Sequence, residues 1–191
     1  LRILGRVTNE MTVGEMRQLL AHDRLAFSEE QYDLLIMAKT ASLLSGACET
    51  GAIRAPAEQR QAMREFGLRL GMAFQIVDDL LDYTGDATIT GKPVGADLRE
   101  HKVTLPLIYA LPRLSARQRR EVSALMDTET PTDAQIAAVV EAVTETGGLD
   151  YARERAASLS TGAEAALEVL APSPAREALR ASIPFVLDRR S

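Results

Sequence analysis

One stretch constrains the fold more than any other: Gly71-Met72-Ala73-Phe74-Gln75-Ile76-Val77-Asp78-Asp79-Leu80-Leu81-Asp82-Tyr83, which sets adjacent aspartates inside an apolar run. A strand would put Asp78 and Asp79 on opposite faces. At roughly 100° per residue, a helix instead gathers Gln75, Asp78, Asp79 and Asp82 into one arc, with Ala73, Phe74, Val77, Leu80 and Leu81 opposite. Gly71 lies on the acidic side, one turn before Gln75, where a missing side chain leaves space. The stretch predicts a helix that carries three carboxylates.

Carboxylates this close repel one another, and the apolar flank makes their desolvation worse. A solvated acidic face is the commoner fate of an isolated aspartate pair, but the neighbours here are almost all apolar. Hard oxygen donors without His or Cys suit Mg2+, which takes few carboxylates directly and completes its shell with water and phosphate oxygens. The stretch therefore reads as a magnesium and diphosphate site, with Asp78, Asp79 and Asp82 as its acidic residues.

The rest of the chain reads as all-α. Alternating runs are absent, aromatic residues make up 4%, and helix signals recur. About eight helices are expected. They run from Leu1 to about His22, from the capping box Ser28/Gln31 to about Gly51, and from Pro56 to near Gly85. Another covers about Leu105 to Leu111, with Pro106 tolerable in its first turn, and further ones follow Ser115, Thr132, Gly148 and Ser173. A loop with Gly91-Lys92-Pro93 and Gly95 spans Asp86 to Ala96.

Composition excludes several classes of function. With 22 basic against 27 acidic residues there is no basic footprint for nucleic acid. The longest apolar run, Thr104 to Leu111, is too short to cross a membrane and contains Pro106. The single cysteine, Cys48, forbids an intramolecular disulfide and fits the cytoplasm; with no His or Lys within a turn, it reads as a small core residue. Glu29, Glu30 and Asp33 imitate the acidic stretch but sit in a first helical turn, where the helix dipole favours them. Arg117, Arg119 and Arg120 read as a solvated face, and His22 and His101 as ordinary surface residues.

Lysine occurs only three times, at Lys39, Lys92 and Lys102. Lys39-Thr40-Ala41 lies mid-helix, Lys92 lies in the glycine-containing loop, and Lys102 precedes Val103-Thr104-Leu105-Pro106. Compact ammonium groups suit individual phosphate oxygens. Any one of them alone would read as a surface lysine; beside the acidic stretch, the three read as phosphate ligands.

Phe74-Gln75-x-x-Asp78-Asp79-x-x-Asp82, followed by Gly91-Lys92-x-x-Gly95-x-Asp97-x-x-x-x-Lys102-x-Thr104-Leu105-Pro106, resembles the second aspartate-rich region of trans-isoprenyl diphosphate synthases. Lys39-Thr40 matches the family's upstream Lys-Thr pair, and Gly14-Glu15-x-x-Gln18 resembles the helix before it. Lys39-Thr40-Ala41 and the Gly91-to-Pro106 segment look most like the medium- and long-chain polyprenyl synthases. The resemblance covers essentially the whole chain.

It implies an isoprenoid synthase-type helical bundle and a prenyltransferase that joins isopentenyl diphosphate to an allylic diphosphate. By resemblance, Asp78 and Asp82, with Asp79 supporting, would hold Mg2+. Lys39, Thr40, Gln75, Lys92 and Lys102 would contact the allylic diphosphate, and Asp78, Asp79, Lys39 and Lys92 would be the residues closest to the chemistry. The family's first aspartate-rich motif, and its more N-terminal basic residues for isopentenyl diphosphate, have no counterpart here. Residues 1–191 are therefore expected to be the C-terminal portion of a single synthase domain, acting as a homodimer or with a chain that supplies the first motif. By themselves they are expected to be inactive. A non-catalytic subunit and a terpene cyclase-like relative are the alternatives; Phe74-Gln75 and Lys39-Thr40 favour elongation over cyclisation.

Overall fold

The computed structural model describes residues 1–20, 24–85 and 94–189. Among them every regular element is helical. All eight expected helical stretches are present, which leaves the sequence reading to be corrected only in detail. Helix α1 spans Arg2–Leu20 and, after a 3-10 turn at Arg24–Ala26, α2 spans Glu29–Ile36. The helix expected from Ser28 to Gly51 is interrupted by a π-helical segment, Met37–Ala41, before α3 at Ser42–Gly51. The long acidic helix is α4, Ala57–Thr84. A one-turn helix the sequence did not announce, α5 (Ala96–Arg99), comes before α6 (Leu105–Ala110), α7 (Ala116–Asp127) and α8 (Asp133–Glu145). Helices α9 (Gly148–Ala166) and α10 (Pro174–Leu187) complete the order.

The helix starts follow from local chemistry. Ser115 accepts from the Gln118 N–H and Thr132 from the Gln135 N–H, while each glutamine side chain accepts the cap residue's own N–H. Ser28 and Gln31 make the same reciprocal pair. Each box satisfies two amides that a helix start leaves orphaned. Ser173 caps α10 through the Arg176 N–H, with Pro174 in the first turn.

Two units are distinguished. The first comprises residues 1–20, 33–77 and 155–189. Its core joins Phe66, Leu70 and Ala73 of α4 to Ala163, Leu167, Ile183 and Val186. Helix α1 packs on the π segment and on α3. The second comprises residues 24–32, 78–85 and 94–154. There α8 packs on α6 and α7, burying Leu105, Leu107, Val122, Leu125, Ile136 and Val143. Each such side chain contributes about 1.5–3 kcal/mol on leaving water. Among the described residues no helix is long and apolar enough to cross a membrane.

Candidate functional site

In the first unit, a close approach between helices sets the polar pair. A Cβ built on Gly71 would stand 2.7 Å from Ala41 Cα, so the space expected beside Gly71 is taken by the π segment's backbone. This closeness brings Thr40 Oγ1 within 2.7 Å of Gln75 Oε1, to which it donates a hydrogen bond. Gly14 of α1 lies against Ala38 and Lys39 in the same way. There the Lys39 ammonium pairs with Glu15 at 3.0 Å. The π geometry displays Lys39 and Thr40 outside the ordinary α ladder, a placement frequent at functional sites.

In the second unit, the end of α4 divides the three aspartates. Asp78 is exposed, Asp82 half-buried and Asp79 only 5% exposed. The helical wheel accounts for this. Ile76, Leu80 and Tyr83 form the buried stripe, and Asp79 stands three residues after Ile76 and four before Tyr83, on that stripe's edge. A buried carboxylate needs a partner. Tyr32, itself 2% exposed, donates its hydroxyl to Asp79 Oδ2 at 2.6 Å.

Asp82 has a different environment. Its two carboxylate oxygens accept the backbone N–H groups of Ala96 and Asp97 at 2.9 and 3.0 Å, and its carbonyl accepts from Gly95 at 2.8 Å. Gly95 sits at φ 78, and a Cβ there would collide with Ile136, so only glycine fits this turn. Burial, and then the charge of Asp97, push the Asp82 pKa up to about 6 against the pull of those two amides. Lys102 donates to Asp97 at 3.0 Å and pairs with Glu100 at 2.7 Å. Burial works against the Lys102 charge, but the bonds to Glu100 and Asp97 outweigh it and hold its pKa above the ordinary lysine value. Burial also pushes the Tyr83 phenol far up, with Asp79, Asp82 and Asp97 adding to the effect.

The sequence reading missed three things here. His101 is not an ordinary surface residue: it adopts φ 57, and its Nε2 bonds the Thr128 carbonyl at 2.8 Å. Asp97 belongs with Asp82 and Lys102, although it was visible only as one letter of the motif. Tyr32 had no local signal, because its partner is 47 residues away. Glu29 and Asp33 are structural as expected, but through tertiary bonds: Glu29 accepts from the Tyr151 hydroxyl at 2.6 Å and Asp33 from Arg155 at 2.8 Å. Cys48 is half-buried, and burial raises its thiol pKa, as suits a core residue. Arg117 pairs with Glu121 on the α7 surface. Lys92, together with residues 86–93, and His22 lie outside the described residues.

No three His, Cys, Asp or Glu side chains form a ready metal cluster among the described residues. The donor set nonetheless suits Mg2+, which needs few protein ligands when phosphate oxygens fill its shell. Asp78, exposed, and Asp82, one turn on, offer only oxygen donors, and a nearby cation would relieve the opposition that burial and Asp97 set against the Asp82 charge.

The sequence model of the polyprenyl synthetase family matches residues 1–143. The chain belongs to the polyprenyl synthetase family. It is 39% identical over 183 residues to the all-trans-nonaprenyl-diphosphate synthase (geranyl-diphosphate specific) of Rhodobacter capsulatus, covering 95% of this chain and 56% of that protein. Identity to the octaprenyl diphosphate synthase of Escherichia coli K12 is 35% over 181 residues, covering 94% of this chain and 56% of that one. The crystal structure of a Caulobacter crescentus polyprenyl synthase, complexed with calcium and isoprenyl diphosphate, superposes with a TM-score of 0.93 at 36% identity. That superposition covers all of this chain and 59% of the other. This polyprenyl synthetase chain thus spans little more than half the length of the relatives it matches.

Proposed function

We propose that this chain provides the second magnesium–diphosphate half-site of a trans-polyprenyl diphosphate synthase, which condenses isopentenyl diphosphate with an allylic diphosphate. The observation that carries this reading is the end of α4, where Asp78 faces solvent one turn from a half-buried Asp82. In the reaction, the allylic C–O bond breaks and its electron pair leaves with the diphosphate. The double bond of isopentenyl diphosphate then forms the new C–C bond, and a proton is lost. Bound Mg2+ would neutralise charge on the leaving diphosphate.

In this reading Asp78 and Asp82 hold the cation, with Asp79 supporting. Lys39, Thr40, Gln75, Lys92 and Lys102 bind diphosphate oxygens. The Thr40–Gln75 bond holds both side chains oriented before substrate arrives, which supports their assignment. Lys102, kept charged by Asp97 and Glu100, is a fixed cation for a departing anion. In the first unit a cleft of about 340 Å3 has a mixed lining, with Val13, Leu34, Met37 and Leu68 beside Arg6, Asn9, Glu10 and Arg64. The partners are the two diphosphates and a second copy of this chain, or a chain bearing the first aspartate-rich motif. A cytoplasmic location agrees with the single Cys48.

Calorimetric titration tests the reading. Mg2+ should bind weakly alone and more tightly with inorganic diphosphate present, and Asp78→Ala should abolish the gain. Equal affinity with and without diphosphate would sink it.

A further inference from the structure

We infer that Tyr32 is a positioning residue for the acidic end of α4, and that Asp79 acts through it as an anchor rather than as a metal ligand. This inference rests on the magnesium–diphosphate reading above. Tyr32 comes from α2 and is buried to 2% exposure, so its hydroxyl is not displayed to a ligand. It donates to Asp79 Oδ2 at 2.6 Å, the short distance of a charge-assisted O–H···O bond. Asp79 stands on the edge of the stripe formed by Ile76, Leu80 and Tyr83, and at 5% exposure it is buried beside the core.

The donor is itself held. Tyr32 stands in the first turn of α2, which is opened by the Ser28/Gln31 box and tied down by the Glu29–Tyr151 bond. Tyr151 in turn stacks on Tyr109 with ring centroids 4.1 Å apart. A hydroxyl fixed at this depth sets the rotation of α4 about its axis. With Asp79 turned in, Asp78 must face out, and Asp82 follows one turn later. The bond thereby divides the three aspartates between holding the helix and holding a cation.

Mg2+ titrated into the full-length protein with inorganic diphosphate present, with melting curves on every variant, tests this. Tyr32→Phe keeps the ring and removes only the hydroxyl; it should weaken Mg2+ binding about tenfold or more, because the helix end that carries Asp78 and Asp82 is no longer held in one rotation. Asp79→Asn still accepts the tyrosine hydroxyl and should stay within about twofold of the parent, whereas Asp78→Asn should lose the binding. Parent-like affinity in Tyr32→Phe, or a loss in Asp79→Asn equal to that in Asp78→Asn, overturns the inference and leaves the metal reading intact. Parent-like affinity in Asp78→Asn overturns both. If Tyr32→Phe melts below the assay temperature, Asp79→Asn decides alone: retention supports the anchor, loss overturns it.

Discussion

Gly71 stands against Ala41 so closely that a methyl group on the glycine would lie 2.7 Å from the alanine Cα and 3.0 Å from its Cβ. The contact is backbone to backbone, and no side chain can rotate away from it. Gly71→Ala should therefore force α4 and the π segment apart, costing about 1–3 kcal/mol of stability. It should also weaken diphosphate binding through the Thr40–Gln75 pair one turn on. Thermal melts and diphosphate titration check both effects; an unchanged melting temperature would show that the approach is not required.

Asp78 and Leu80 lie two residues apart on one helix and should respond in opposite ways. Leu80 is 6% exposed, so Leu80→Ala should cost about 2–5 kcal/mol through the cavity it leaves, with modest loss of turnover in molecules still folded. Asp78→Ala removes an exposed carboxylate and should leave the melt nearly unchanged or improved. In the complete enzyme it should slow the chemical step by several orders of magnitude. Single-turnover rates beside melts separate the two, and an early melt with a normal rate for Asp78→Ala would make the acidic face structural.

The Asp82 carboxyl ionises at about 6 in the folded protein, against a model-peptide value of 3.8. Between those values the folded state keeps a proton that the unfolded chain has released. This group therefore favours folding more as pH falls, and its penalty is fully present above about 6. Without metal, the parent should gain stability relative to Asp82→Asn between about pH 7.5 and pH 4.5. Paired melts at each pH check it; a difference that stays constant or grows in the other direction would contradict the raised pKa.

His101 holds φ 57 directly before Lys102, and its ring is tied to the Thr128 carbonyl. A non-glycine residue there bears about 1–2 kcal/mol of backbone strain, which the ring bond offsets. His101→Ala keeps the strain and loses the bond, whereas His101→Gly loses both. Alanine should thus be the more destabilising substitution, and denaturant midpoints would reveal the order. The reverse order would mean that the ring bond contributes little.

What the sequence disclosed was local. Ser28/Gln31 announces a helix start because a cap needs only residues three apart. The acidic turn was legible for the same reason, since helical periodicity brings Asp78 and Asp82 together without help from the rest of the chain. The same periodicity leaves Asp79 undecided at the edge between the acidic arc and the apolar one. Its hydrogen-bond partner is Tyr32, which no window around α4 contains. Glu29 and Asp33 were read correctly as structural, yet their partners Tyr151 and Arg155 each lie 122 residues further on. His101 was missed because its conformation answers to a carbonyl at the end of another helix.

The π segment has a consequence for how this helix tolerates change. One residue more than an α turn requires is held in Met37–Ala41, and at about 100° per residue it offsets the faces on its two sides by that angle. The segment works as a phase shifter. Upstream, Asp33 keeps the azimuth that meets Arg155; downstream, Ser45 keeps the one that meets the Arg64 carbonyl. Deleting a single residue from 37–41 would leave an unbroken, well-formed α-helix in which only one of those two contacts stays in phase.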